Sequence, residues 1–165
     1  MDNKKTIFLD IDGVLATHTE FMRSTRKFRD KFELAKELSL PYPFNKKCVE
    51  VFNEILDETN AEIVLSSDWR IHWNLEELDK IFKFNDVKKS PIDITGKKYV
   101  SITNYAHNRV LEINEYKEKN DVGTFVVIDD MDLDLYFIDN FIKTKNNEGI
   151  KQLGIKNKIL KILQS

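Results

Sequence analysis

At 165 residues and 41% apolar content, the chain can enclose one substantial core and is too short for two ordinary domains. Its 26 lysines and arginines nearly balance 28 aspartates and glutamates, for a net charge of −2, which excludes a molecule-wide field able to attract nucleic acid or an anionic membrane. A lone Cys48 excludes an internal disulfide, and no apolar run approaches a secretory or membrane-spanning length, so a soluble cytoplasmic protein is expected.

The first element is a buried strand over residues 6–9, where Ile7, Phe8 and Leu9 run directly into "DIDG". Residues 17–44 are the hardest to type. They hold Phe28, Phe32 and Ala35 at helical spacing, a basic run containing Arg23, Arg26, Lys27, Arg29 and Lys31, and then "LPYPF", whose two prolines forbid a regular helix. The stretch "FNKKCVEVFNEILDETN" puts Cys48, Val49, Phe52, Ile55 and Leu56 on one helical stripe with Asn45 as N-cap. A second strand is expected over 62–65, ending in "SSDWR", and a second helix in "NLEELDKIF" turns Leu75, Leu78, Ile81 and Phe82 inward. A third helix over 103–119 carries Ala106, Val110 and Ile113, and a third strand over 124–128 ends in "DDMDLD". The tail reads as a strand, a turn at Gly149 and a closing helix through Ile155, Ile159 and Leu163.

Strands alternating with helices predict an α/β fold with a mostly parallel sheet covered on both faces. In such a sheet the functional crevice lies beyond the carboxyl ends of the strands. Asp10, Asp12, Asp129 and Asp130 therefore converge, and carboxylates at that range repel unless a cation sits among them. An all-oxygen cluster suits magnesium. Taken singly, each motif has a plainer reading: a turn at "DIDG", a helix cap at Asp129 and Asp130, an ordinary loop hydroxyl at Ser66. Their joint occurrence at three strand ends favours a reaction site.

"FLDIDGVL", "IVLSS" and "FVVIDDMD" resemble the first, second and fourth motifs of the haloacid dehalogenase-like (HAD) phosphohydrolases. The pattern is nearer still to the HAD domains of Swiss-army-knife RNA repair proteins, through "FNKKCVEVFNEILDETNAEIVLSSDWR". The resemblance runs from Ile7 to about Leu163 and is weakest over 17–44. It implies a three-layer Rossmann-like HAD fold in one domain, 1–165, with a small flap or insert at 17–44 and no large cap. It also implies Asp10 as the nucleophile that becomes an aspartyl phosphate, and Asp12 as its acid/base partner. An aspartate rather than a threonine at that second position favours a phosphatase over an ATPase. By the same resemblance Ser66 bonds a phosphoryl oxygen, with Gly13 and Ser67 beside it. Asp129 joins Asp10 and the main-chain carbonyl of Asp12 in holding magnesium, and Asp130 acts through a bound water. Asp132 and Asp134 are extra acids without a counterpart. The third motif departs from the family: its lysine slot falls on Arg109, with Lys97 or Lys98 as the alternative.

The expected function is a magnesium-dependent phosphomonoesterase acting on nucleotides or nucleic-acid ends, with a phosphate-recognising non-catalytic module or a phosphotransferase as alternatives. The basic run at 23–31 is either a phosphate-contacting edge or a solvated helix face. Trp69, Trp73 and His72 either stack on a base or pack a helix onto the sheet. His18, near the first motif, is a further possible substrate contact.

Overall fold

The computed structural model describes residues 4–22, 25–98 and 104–165. β1 (Lys5–Leu9) is buried at its last four positions because it lies at the middle of a five-stranded sheet. The other strands are β2 (Glu62–Leu65), β3 (Asp93–Ile94), β4 (Thr124–Asp129) and β5 (Phe141–Lys143), in the order β3-β2-β1-β4-β5. Every pairing is parallel, which explains why β1, β2 and β4 read as unbroken apolar runs rather than as alternating ones.

Alternate residues of these strands feed two cores. Ile7, Leu9, Ile63, Leu65, Val126 and Ile128 pack with α4 (Lys46–Thr59), α6 (Leu75–Phe84) and α8 (Ile155–Leu163), and the short α5 (Trp69–His72) follows β2. Phe8, Val64 and Val127 pack with Val110 and Ile113 of α7 (Tyr105–Lys119), and with Leu133 and Phe137. Helices thus cover both faces, giving the three-layer α/β architecture. The stripes expected on α4 and α8 are buried throughout. Asn45 caps α4 by accepting from the Cys48 amide at 3.2 Å. Among the described residues no helix is long and apolar enough to cross a membrane.

Several details differ from expectation. β3 is only two residues long and has too little periodicity to be seen in sequence. Leu75 is 37% exposed because it opens the first turn of α6, ahead of the buried Leu78, Ile81 and Phe82. Among the described residues, 17–44 carry three short helices, α1 (His18–Phe21), α2 (Thr25–Lys31) and α3 (Glu33–Glu37). Residue 103, the expected start of the third helix, lies outside the described residues, as does Arg23. In the basic run, Arg29 bonds the carbonyls of Ser39 and Leu40 at 2.8 and 2.9 Å, Arg26 lies 3.9 Å from Asp30, and Lys31 sits over the Phe32 ring. Arg29 therefore holds a loop together, and Arg26 and Lys31 have partners within their own helical region.

Candidate active site

The register of the sheet assembles the site. Leu9 pairs with both Leu65 and Ile128, so Asp10, Ser66 and Asp129 follow at the same level on three adjacent strands. The amide of Ser66 donates to Leu9 and that of Asp10 to Ile128, each at 3.0 Å, which carries the ladder one step into the site. Gly13 turns the chain back with φ +77°, a region that disfavours side chains. A Cβ there would also lie 2.6 Å from Cγ of Asp130, so only glycine lets that carboxylate approach the first loop.

Arg109 enters from the N-terminal part of α7 and is 5% exposed. Its guanidinium reaches Asp129 Oδ2 at 2.7 Å, Asp68 Oδ1 at 3.1 Å and Asp10 Oδ1 at 3.4 Å. Burial opposes its charge, but Asp10, Asp129 and Asp68 outweigh burial and hold the group charged. Lys97 and Lys98, the alternatives for this slot, are exposed. Asp129 is fully buried, and its other oxygen accepts from the Met131 amide at 2.9 Å.

Asp12 is held differently. Its two carboxylate oxygens accept from the Tyr42 hydroxyl at 2.7 Å and the Trp69 indole at 3.1 Å. Burial raises its carboxyl to about 6, Asp10 and Asp130 adding to the rise while Tyr42 and Trp69 restrain it. Burial and the adjacent Asp12 also push the Tyr42 phenol upward, so it remains a donor. Each oxygen of Asp12 keeps room for a proton in addition to the bond it accepts.

The hydroxyl of Ser66 is buried with no hydrogen-bond partner among the described residues, and so is that of Thr95 just past β3. A buried hydroxyl left unpaired is costly, so each of these has a hydrogen bond still to give to an oxygen that reaches it. Ser67 is fully buried, and its carbonyl accepts from Arg70. Arg70, 1% exposed, bonds the carbonyls of Ser66 and Ser67 at 2.8 Å and that of Gly96 at 3.2 Å, and forms a buried ion pair with Glu112.

A family model described as "HAD domain in Swiss Army Knife RNA repair proteins" matches residues 6–153. The chain belongs to this family. No curated protein and no solved structure matches it. Membership points to phosphohydrolase-type chemistry, in a family that generally uses magnesium.

The donor set of this HAD domain fits such an ion. Asp10, Asp129 and Asp130 offer carboxylate oxygens that all lie within 4.8 Å of one another, an all-oxygen array suited to a hard divalent cation. The Asp12 carboxylate, engaged by Tyr42 and Trp69, is not part of that array. Burial and then Asp10 raise the carboxyls of Asp129 and Asp130, that of Asp130 to about 6, with Arg109 offsetting part of the rise.

The raised carboxyls of Asp12, Asp129 and Asp130 set an expectation for how stability varies with pH. Asp12, Asp129 and Asp130 bind protons more tightly folded than unfolded, so the stability they contribute is complete below the unfolded value of 3.8 and is lost as pH rises through their folded values. In metal-free buffer the thermal midpoint is expected to fall by roughly 5 °C between about pH 5 and about pH 8. Magnesium should restore it at the higher pH and have little effect at the lower. A metal-free midpoint that rises over this interval would contradict the assignment.

Four residues of this HAD domain's site escaped sequence reasoning: Tyr42, Asp68, Arg70 and Glu112. Asp68 and Arg70 were in view within "SSDWR", two and four residues past Ser66. Tyr42 sits in "LPYPF", where the prolines were the only signal. Glu112, buried on α7 three residues after Arg109, has no local signature. Of the extra acids, Asp132 pairs with Lys143 and Asp134 is exposed. His18 is exposed beyond the loop that follows β1.

Proposed function

We propose that the chain is a magnesium-dependent phosphomonoesterase that works through an aspartyl phosphate on Asp10, acting on nucleotides or nucleic-acid ends, in one domain whose residues 17–44 form a flap. The observation that carries this reading is the unpaired buried hydroxyl of Ser66, one strand over from Asp10, which Arg109 contacts from α7. A phosphoryl oxygen is the acceptor this hydroxyl lacks.

In the first step an Asp10 carboxylate oxygen forms a bond to phosphorus while the bond to the leaving oxygen breaks. Asp12 gives its proton to that oxygen, a role suited to a carboxyl titrating near 6. In the second step Asp12 takes a proton from water, the water oxygen bonds to phosphorus, and Asp10 is released. Arg109, held within 3.4 Å of Asp10 and 2.7 Å of Asp129, would donate to the phosphoryl oxygens, and Ser66 would donate to one of them. Magnesium, held by Asp10, Asp129 and Asp130, would supply Lewis-acid neutralisation of the phosphoryl charge.

The test is a panel of phosphate monoesters comprising mononucleotides, 3′- and 5′-phosphorylated oligonucleotides, sugar phosphates and phosphopeptides, each assayed with magnesium and with chelator. Phosphate release that requires magnesium on at least one nucleotide or oligonucleotide is the expected result. No release from any member would overturn the reading.

A further inference from the structure

A cleft of about 480 Å³ opens on the side of Asp12 that faces residues 38–42, and its walls include Asp12, Tyr42, Asp68, Trp69, His72 and Trp73. That volume lies within the range of small-molecule sites. Because Asp12 is the group assigned to protonate the leaving oxygen, whatever departs from phosphorus leaves toward this cleft. We propose that the cleft is the leaving-group subsite and that it binds the uncharged, base-bearing nucleoside of a mononucleotide. This rests on the phosphatase reading and narrows it.

The walls are aromatic and already fixed. Trp73 packs 4.8 Å from Trp69, and His72 meets Trp73 with ring centroids 5.6 Å apart. Tyr42 meets Trp69 edge to face at 5.9 Å. The Trp73 indole donates to the Leu38 carbonyl at 3.0 Å, and Arg29 holds the carbonyls of Ser39 and Leu40, so the opposite wall is tied down from both sides. Rings held in advance lose little freedom on binding and favour a flat partner over a flexible one.

Charge selects further. The cleft presents two carboxylates, Asp12 and Asp68, and among the described residues that line it there is no lysine or arginine. Asp12 enters the first step protonated and Asp68 is already paired with Arg109 and Arg70, so a continuing strand would bring a second phosphate beside the Asp68 carboxylate in a cleft whose described walls hold no cation to receive it. A single nucleoside brings none, and its ring amines suit the Asp68 carboxylate, whose side chain is 55% exposed. The occupant favoured is therefore one nucleoside rather than a polynucleotide end.

The chain's two tryptophans, Trp69 and Trp73, both line the cleft, so intrinsic fluorescence reports on it directly. The Asp10→Asn protein, with magnesium, is titrated with adenosine 5′-monophosphate, glycerol 3-phosphate and the 5′-phosphorylated dinucleotide pApA. The expected result is saturable quenching by the mononucleotide, none by glycerol phosphate, and binding of pApA weaker by roughly tenfold. In the unsubstituted protein, kcat/KM for the mononucleotide should exceed that for glycerol phosphate, and Trp73→Ala should reduce this advantage by roughly tenfold. His72→Ala, at an exposed position, should reduce it in the same direction, with an unchanged thermal midpoint as the check on the fold. Equal kcat/KM for both esters, absence of quenching, or pApA binding as tightly as the mononucleotide would overturn the proposal. If no ester is hydrolysed yet the mononucleotide quenches saturably, the phosphatase reading fails and the nucleoside cleft stands. If glycerol phosphate is hydrolysed and the mononucleotide neither quenches nor reacts faster, the reverse holds.

Discussion

Asp10→Asn is expected to lower turnover of any ester the protein hydrolyses by at least about a thousandfold, because the amide is a poor nucleophile and no phosphoenzyme can form. The fold should persist. Asp10 adds to the repulsion that raises the carboxyls of Asp129 and Asp130, so removing its charge relieves the cluster. What is lost is the 3.4 Å contact with Arg109, whose shorter bonds to Asp129 and Asp68 remain. The thermal midpoint in metal-free buffer should therefore stay level or rise, while stabilisation by magnesium weakens as one of three carboxylate donors is neutralised. Phosphate release, thermal unfolding with and without magnesium, and circular dichroism together make the measurement. Turnover near that of the unsubstituted protein would rule out the Asp10 nucleophile, and a collapsed midpoint would show that the carboxylate serves the fold instead.

Much of this arrangement was legible in the sequence for a physical reason. In a parallel sheet buried on both faces, strands appear as short apolar runs, and polar residues follow only where the strands end. The run Ile7, Phe8, Leu9 and then Asp10 states both facts at once, as do Leu65 then Ser66 and Ile128 then Asp129. The register that brings these ends to one level is long-range, but parallel pairing of equally buried runs leaves little freedom for it. Tyr42 and Glu112 were not legible because each matters only through a distant partner. The Tyr42 hydroxyl meets a carboxylate thirty positions earlier, and Glu112 meets Arg70 forty-two positions earlier, and neither separation leaves a local pattern. β3 was missed for a different reason: two residues cannot display a period. The three short helices over 17–44 follow from weak periodicity, since segments of four to seven residues are stabilised by what they pack against rather than by their own pattern.

The buried pair of Arg70 and Glu112 should dominate stability near the site. Both side chains are almost wholly enclosed, at 1% and 3% exposure, so neither charge is screened by water. Burial works against the charge of Arg70 and Glu112 opposes that shift; without Glu112 the guanidinium, which cannot shed its proton, keeps only the longer contact to half-exposed Asp68 at 3.4 Å as a carboxylate partner among the described residues. Glu112→Ala is therefore expected to cost roughly 3–5 kcal/mol and to lower the thermal midpoint by roughly 10 °C. Replacing both partners with apolar residues of similar volume, as in Arg70→Met with Glu112→Leu, should recover part of that loss because no charge is then stranded. Activity should not recover with it. Arg70 is the donor that ties the carbonyls of Ser66, Ser67 and Gly96 together, so without it the Ser66 loop loses its anchor even when the fold is restored. A small displacement of Ser66 from the phosphoryl position can reduce kcat/KM on the order of a hundredfold. Thermal unfolding and ester hydrolysis on the single and double variants separate the two effects. A double variant that regains both stability and activity would reduce Arg70 to a buried charge with no part in shaping the site, whereas stability without activity assigns it the role of holding Ser66 against Asp10.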